Sequence, residues 1–243
     1  VRTLYSYLDQ GLFTARNIDL KRKVHFKPRK CHKTQITDRT VFTNRLYRDF
    51  CSLALTSYVQ MDTVYSSRES KKTLLTMFFT KEKLFLAFLM NRCTKGAVRL
   101  IFDRLEKRMG TYEFTSAFEY ILTDRGSEFG DPDALETGVN GIQRSSIYYC
   151  DPMQSGQKGG LEQAHTMLRM ILPKGTCFEF LTQWDVNLIV NHINSTPRES
   201  LDGKTPYSVA LETLGEEVLN AFQLRPIAPD EVNLTPKLIR FNH

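Results

Sequence analysis

The chain has 243 residues, of which 41% are hydrophobic and 25% are charged, so its composition is that of an ordinary globular protein. No run of about 18 apolar residues occurs, which excludes a typical membrane-spanning helix. The formal net charge is +6, and the basic excess is confined to residues 1–50, which hold 12 Lys or Arg against 4 Asp or Glu.

The first predicted elements are a short helix and a basic linker. Residues 2–10 carry apolar side chains at helical spacing and stop before Gly11, which predicts the last helix of a helix-turn-helix whose earlier part is missing. Val1 falls within this pattern, so we expect the chain to be a piece of a longer protein. The linker, residues 16–52, is too charged to fold alone, and we expect it to bind a polyanion through its phosphates rather than to act only as a solubilising arm.

Strands and helices alternate from residue 53 onward. Apolar runs predict three strands, over residues 58–65, 74–79 and 84–90, which form an antiparallel meander. Apolar spacing and Gly or Pro stops then predict a helix over 97–109, strands over 118–122 and 146–150, and helices over 157–172, 180–193 and 206–214. This order predicts an α/β fold with a mixed five-stranded sheet and helices on both faces, the order of the RNase-H-like fold.

The sequence therefore divides into four predicted segments. They are a helix-turn-helix remnant over residues 1–15, a basic linker over 16–52, an RNase-H-like domain over 53–215 and a C-terminal tail over 216–243.

Three acidic residues lie where carboxylates often carry chemistry. Asp62 is inside an apolar strand, where a carboxylate is costly unless it is paired or binds a metal. Asp124 follows the carboxyl end of an apolar strand, and functional groups of α/β sheets gather at such ends. Glu162 lies in the first half of a helix that has a glycine-rich start. The RNase-H-like order places both aspartates side by side and brings Glu162 across them.

Such a meeting of carboxylates predicts a metal site. Two hard divalent ions would remove the mutual repulsion, activate a water or a 3′-hydroxyl, and stabilise the leaving oxygen of a phosphoryl transfer. We therefore assign Asp62, Asp124 and Glu162 as catalytic and metal-binding residues. Taken singly, each has a simpler alternative: a strand-edge residue, a turn residue and a solvated helix residue, respectively.

Several motifs together resemble a known family, and the likeness covers nearly the whole chain. They are residues 8–24, Gln60-Met61-Asp62-Thr63-Val64, Thr123-Asp124-Arg125-Gly126-Ser127-Glu128-Phe129, Gly159-Gly160-Leu161-Glu162-Gln163, Leu168-Arg169, Pro173-Lys174-Gly175-Thr176, Asn194 to Arg198 and Lys204-Thr205-Pro206. In this combination the chain resembles the DDE transposases of the IS-thirty family of bacterial insertion sequences.

The resemblance implies an RNase-H-like integrase catalytic core that nicks DNA and transfers strands at the inverted-repeat ends of an insertion sequence. It implies two Mg²⁺ or Mn²⁺ ions held by Asp62, Asp124 and Glu162. The implied partners are double-stranded DNA, from both the transposon ends and the target, and further copies of the chain in a homo-oligomer. The implied location is the bacterial cytoplasm, at the nucleoid. Five scattered cysteines without Cys-x-x-Cys spacing agree with a reducing compartment.

Basic residues near these motifs are the predicted DNA contacts. Arg169 lies seven residues after Glu162, which places it on the same helix face two turns on. Contacts from such residues to phosphates set the position of DNA rather than read its sequence. The predicted contacts are Arg169, Lys158, Lys174, Lys21, Arg22, Lys23, Arg29 and Lys30.

Departures from the family pattern leave two alternatives open. Arg125 replaces the usual Asn beside the second Asp, and an ion pair of Arg125 with Asp124 would compete with metal. Residues 156–163 also differ on both sides of the third acid. The first alternative is a decayed DNA-binding relative that keeps the fold but not the chemistry. The second is an RNA-cleaving hydrolase on the same fold, which the basic arm disfavours.

Overall fold

The computed structural model describes residues 2–15 and 39–239, and the chain falls into two compact units, Val1–Ile36 and Thr37–His243. In the first unit, helix α1 spans Arg2–Asp9, as predicted, and the chain turns at Gly11, whose φ is +71°. The linker cations predicted to bind DNA, Lys21, Arg22, Lys23, Arg29 and Lys30, lie outside the described residues. Every helix within the described ranges is too short or too polar to span a membrane.

A mixed five-stranded sheet forms the centre of the second unit. Its strands are β1 (Val59–Tyr65), β2 (Thr73–Phe79), β3 (Leu84–Met90), β4 (Tyr120–Thr123) and β5 (Ser146–Tyr149). The spatial order is β3-β2-β1-β4-β5, with antiparallel pairing within the β1–β3 meander and parallel pairing of β1 with β4 and of β4 with β5. This is the RNase-H-like arrangement, so the predicted fold class is confirmed.

Helices surround the sheet and begin and end at residues suited to those places. They are α2 (Tyr47–Ser52), α3 (Lys95–Met109), α4 (Thr111–Ala117), α5 (Pro132–Glu136), α6 (Gly159–Ile171), α7 (Gln183–Asn194), α8 (Pro206–Leu214) and α9 (Glu216–Ala221). Thr94 caps α3 by accepting a hydrogen bond from the backbone of Ala97, and Gly110 ends that helix with φ +89°. α6 packs on β1 and β2, and α7 and α8 pack on β3.

Helix α4, which the sequence did not predict, ends immediately before the segment predicted as a strand. The strand predicted from Phe118 begins instead at Tyr120, because Phe118 caps α4. The rings of Phe114 and Phe118 stack with centroids 4.7 Å apart, and both residues are fully buried. A seven-residue helix is marginal by itself, so this packing stabilises a conformation that the local sequence does not specify.

Residues 39–52 and 216–239 pack onto the sheet unit, although the sequence assigned them to the linker and the tail. The backbone N–H of Tyr149 in β5 donates to the carbonyl of Arg45 at 2.8 Å, and Arg45 forms an ion pair with Glu136. In the C-terminal segment, the ring of Phe222 packs against the rings of Phe79 and Phe118.

A buried arginine ties β5 to α3 and α5. Arg144, with no exposed side-chain surface, donates to Asp103 at 2.7 Å, to Glu106 at 2.8 Å and to the carbonyl of Leu135 at 2.8 Å. Its guanidinium also lies over the ring of Phe102. The two carboxylates compensate the buried positive charge, and the network fixes the start of β5.

His192 holds the C-terminal segment against α7 through a ring nitrogen. The residue is 6% exposed, and its Nδ1 accepts a hydrogen bond from the backbone N–H of Asn233 at 3.1 Å. Burial lowers the pKa of His192 from the ordinary 6.5, against the opposing charge of Glu231. The unfolded chain therefore binds more protons than the native protein in this range, so this contribution to stability is complete above the unfolded pKa and is lost as pH falls through the folded pKa.

We expect the free energy of unfolding to decrease from about pH 7.5 to about pH 5, with His192 contributing part of the decrease. His192→Asn keeps an acceptor and cannot titrate, so its free energy of unfolding should decrease less over the same interval. Urea unfolding of both proteins at the two pH values measures the difference. An identical pH dependence in the variant would rule out this role of His192.

Candidate active site

Parallel pairing of β1 and β4 brings two of the predicted acids together. Met61 pairs with Thr123, so Asp62 and Asp124 follow at the next position of the two neighbouring strands. Asp62 is half-buried within β1, and its Oδ1 accepts a hydrogen bond from the Thr63 N–H at 2.8 Å. The Oδ1 of Asp124, just beyond β4, accepts from the Gly126 N–H at 2.9 Å. Each carboxylate therefore has one oxygen fixed by backbone and one free for another partner.

Lys158 supplies that other partner for both aspartates. Its Nζ lies 3.1 Å from Asp62 Oδ2 and 3.6 Å from Asp124 Oδ2, and it donates to the carbonyl of Met61 at 3.3 Å. The side chain is only 7% exposed. A single buried cation thus lies between the two carboxylates. From the sequence we predicted Lys158 to be a DNA contact, and nothing in the local sequence indicated its position between the two aspartates.

Burial and neighbouring charges act together on Asp124. Desolvation raises the pKa of the Asp124 carboxyl, the Lys158 ammonium opposes this, and the negative charge of Asp62 adds to the increase. Glu128, which is 5% exposed, contributes further in the same direction. Gly126 leaves room for this crowding, because an added Cβ would lie 2.7 Å from Glu128 Oε2 and 3.0 Å from Asp124 Oδ1. The sequence did not assign a role to Glu128.

A glutamine on β1 fixes the start of α6 beside this pair. Gln60 and Asp62 are two positions apart on β1, so both side chains point to the face that α6 covers. Gln60 is 3% exposed, and its Oε1 accepts from the backbone N–H of Leu161 at 2.8 Å, which satisfies a donor in the first turn of the helix. The sequence signal for the contact between Gln60 and α6 is a glutamine within an apolar strand, two residues before an aspartate.

Gly160 lets α6 approach the sheet closely. A Cβ at this position would collide with the buried ring of Phe78 on β2, with Cδ1 at 3.0 Å. At the adjacent Gly159, an added Cβ would meet no atom within 4 Å. The two glycines differ in their surroundings and form a matched pair for mutation.

We expect Gly160→Ala to lower the free energy of unfolding by about 1–3 kcal/mol, because the methyl group must displace Phe78 or the helix. Gly159→Ala should be neutral or should stabilise by up to about 1 kcal/mol, since alanine favours a helix. Urea denaturation of both variants measures the contrast. Equal effects at the two positions would show that α6 does not press on Phe78.

Glu162 lies on the face of α6 that carries His165 and Arg169. His165 Nε2 is 2.9 Å from Thr76 Oγ1, which itself donates to the carbonyl of Asp62 at 3.0 Å. Desolvation lowers the pKa of His165, against the opposing negative charges of Asp62 and Glu162. Glu162 itself is exposed. This face of α6 therefore lies along β1, with His165 near Asp62 and Arg169 at the end of the strand.

The third predicted acid, Glu162, is not joined to the aspartate pair. Across residues 2–15 and 39–239, no three His, Cys, Asp or Glu side chains lie close enough together to hold one metal ion. The structure thus brings Asp62 and Asp124 to a common cation and leaves the Glu162 carboxylate in solvent. The two Oδ2 atoms that face this cation nevertheless are oxygen donors of the kind that suits a hard divalent ion.

Arg125 does not form the ion pair with Asp124 that the alternative of a decayed relative invoked. Its Nε donates to the carbonyl of Cys150 at 3.1 Å, and its Nη2 lies 3.7 Å from Asp151 Oδ1. Gln157 also holds Asp151, through two hydrogen bonds of 2.8 and 3.1 Å. These contacts anchor the segment between β5 and α6 that ends at Lys158.

Two of the predicted DNA contacts lie at the end of the sheet where β1 finishes. Arg169 Nη2 donates to the carbonyl of Tyr65 at 3.5 Å, and burial lowers the pKa of Arg169. Lys174 is exposed in a turn that the Ser67 N–H joins to β1 through the carbonyl of Thr176 at 3.1 Å. Beside this turn is a cleft of about 530 Å³ whose rim carries three exposed cations, Arg68, Lys71 and Arg92.

Comparison with known proteins gives transposases and a putative integrase as relatives. No model of a known protein family matches the chain. The transposase InsI of insertion sequence element IS30A from Escherichia coli K12 is 33% identical over 91 residues, which cover 37% of this chain and 22% of that protein. The putative integrase ORF3 of Spiroplasma virus SpV1-R8A2 B is 23% identical over 205 residues, which cover 83% of this chain and 60% of that protein. The chain thus spans less than two thirds of the length of these relatives.

Among solved structures, the catalytic core domain of BIV integrase is similar, with a TM-score of 0.45 and 23% identity over 64% of this chain and 94% of that domain. The similarity to transposases of IS30 elements confirms the resemblance predicted from the motifs.

Proposed function

We propose that this chain is the catalytic part of a DDE-type DNA transposase, a polynucleotidyl transferase that cleaves and joins DNA strands at the inverted-repeat ends of an insertion sequence. One observation carries the proposal: Asp62, in β1, and Asp124, just beyond the neighbouring parallel strand β4, each direct one carboxylate oxygen at the same buried cation. The similarity to transposases supports the assignment of this pair to DNA chemistry.

The residues present fit a site for Mg²⁺ or Mn²⁺. Asp62 and Asp124 would hold the ions through oxygen, and Glu162, exposed on the face of α6 that follows β1, would supply the third carboxylate. When bound, two such ions activate the attacking water or 3′-hydroxyl and stabilise the leaving oxygen. Gln60 and Gly160 act in this scheme as positioning residues, because they fix the height of α6 above β1.

Positive side chains near the site would orient the DNA. Arg169 and Lys174 lie at the end of β1, and the cleft rimmed by Arg68, Lys71 and Arg92 is next to them. Neutralising phosphates at these residues would place a DNA backbone alongside the aspartate pair without reading its sequence. The proposed partners are accordingly duplex DNA from the transposon ends and target, and further copies of the chain.

Strand joining by the unmodified protein tests the proposal directly. Labelled duplexes from the DNA that flanks the coding region should be nicked and joined to a second duplex when Mn²⁺ or Mg²⁺ is added, and not in EDTA. Joining should weaken steeply as salt rises, because phosphate contacts release counterions. If wild-type protein joins no ends with either metal, the proposal of an active transposase is wrong.

The decayed DNA-binding relative is the second candidate, and two observations favour it. The ammonium of Lys158 lies where a cation would bind, and Glu162 makes no contact with the aspartates. This candidate predicts salt-sensitive DNA binding without strand joining and without heat on calorimetric titration with Mn²⁺. Joining, or Mn²⁺ binding that Asp62→Asn abolishes, excludes it.

A further inference from the structure

The aspartate pair already has a positive partner built into the chain. Within the described part of the chain, Lys158 is the sole residue that forms an ion pair with Asp62 or with Asp124. Arg125 is engaged by Asp151, and Arg169 donates to backbone carbonyls of Tyr65 and Leu172. The neutralisation of these two carboxylates therefore depends on one ammonium group.

The contacts of this ammonium resemble the surroundings of a bound cation. Nζ has three oxygen neighbours, from Asp62, Asp124 and the carbonyl of Met61, at 3.1, 3.6 and 3.3 Å. All three are oxygens, which are also the ligands that Mg²⁺ and Mn²⁺ prefer. A divalent ion and the ammonium cannot occupy the same space between the two Oδ2 atoms.

The chain around Lys158 allows the ammonium to leave. A lysine carries its charge on a flexible four-carbon stem. Gly159 follows it, and the space where a Cβ of Gly159 would stand is open. The Asp124 side chain is 48% exposed, so solvent and ions reach the pair from that side. The lysine side chain is thus flexible and borders open space at Gly159, and the pair is accessible to ions from the side of Asp124.

We propose that Lys158 is an internal counter-ion that occupies the cation position between Asp62 and Asp124 in the metal-free protein, and that a divalent ion binds by displacing it. The displacement half of the proposal rests on the proposed metal-dependent function. Lys158 is a positioning residue in this scheme: it keeps the carboxylates together before metal arrives, and it lowers the apparent affinity for metal.

The test compares Lys158→Met, Lys158→Arg and wild type, with Lys107→Met as the control for loss of an exposed lysine of α3. In EDTA, Lys158→Met should lower the melting temperature by at least about 3 °C, since two adjacent carboxylates lose their counter-ion. Lys107→Met should leave it unchanged, and Lys158→Arg should restore most of the loss. Adding Asp62→Asn to Lys158→Met should recover part of the stability.

Calorimetric titration with Mn²⁺ alone gives the second readout. Lys158→Met should bind Mn²⁺ about tenfold or more tightly than wild type, because the ion no longer competes with an ammonium, and Mn²⁺ should raise its melting temperature further. If Lys158→Met does not fold, Lys158→Gln replaces it in both measurements. Equal or weaker Mn²⁺ binding in the variant, or no binding in either protein, overturns the displacement; an unchanged melting temperature in EDTA overturns the counter-ion role.

These outcomes separate this inference from the proposed function. Tighter Mn²⁺ binding by Lys158→Met, together with no strand joining by wild type, keeps the inference and rejects the transposase activity. Strand joining by wild type, with equal Mn²⁺ affinity in the two proteins, keeps the activity and rejects the inference.

Discussion

Asp62→Asn is expected to reduce metal-dependent strand joining by more than about 100-fold, because even an outer partner of a metal ligand is worth roughly 10–100-fold. Asp62 is the central acid of the site: it lies in the middle strand of the sheet, contacts Lys158 and shares its cation with Asp124. The amide is nearly the same size as the carboxylate but has no charge to hold a divalent ion. Joining of a labelled DNA end in Mn²⁺ measures the loss.

Three comparisons make this result specific. Asp124→Asn should cause a loss of similar size, and Glu162→Gln should also reduce joining if the exposed glutamate completes the site. Asp230→Asn changes an exposed aspartate in the C-terminal segment and should retain wild-type joining. If Asp62→Asn joins DNA at the rate of wild type, the aspartate pair does not take part in strand joining.

Arg144→Met is expected to lower the free energy of unfolding by about 3–5 kcal/mol, the range for removing one partner of a buried ion pair. Arg144 is fully buried, and its loss leaves Asp103 and Glu106 facing an apolar side chain. Much of the cost comes from the unpaired carboxylates. Adding Glu106→Gln to Arg144→Met should therefore recover part of the stability.

Arg99→Met is the matched control for that measurement. Arg99 lies 3.6 Å from the other oxygen of Asp103 but is 57% exposed, so its loss should cost within about 1 kcal/mol. Urea unfolding of the four proteins gives the comparison. If Arg144→Met and Arg99→Met lower the free energy of unfolding equally, burial does not increase the contribution of Arg144 to stability.

Local sequence patterns predicted most of the sheet and its order. The meander strands begin and end within a residue of the predicted bounds, because long apolar runs separated by short polar turns leave little choice of element. The neighbouring positions of Asp62 and Asp124 follow from that strand order. Helix α8 has the predicted bounds because Thr205, Pro206 and Gly215 mark its ends.

Features that depend on distant contacts were not predictable in the same way. Helices α4 and α9 are short and are held by aromatic packing that involves Phe114, Phe118 and Phe222. Arg144 and Lys158 are ordinary basic residues in the sequence, and only the tertiary fold removes them from solvent. A charge that is buried by partners far along the chain leaves no local pattern.

The parallel pairing of β1 with β4 also determines when the site appears as the chain is made and folds. The strands of the meander are neighbours in sequence and pair through short turns, but 61 residues separate Asp62 from Asp124. Pairing of strands so far apart in the sequence is slower than hairpin formation. Lys158 and Glu162 follow later still. A nascent or partly folded chain therefore lacks the assembled aspartate pair. The proposed cleavage of DNA becomes possible only once the whole sheet has formed.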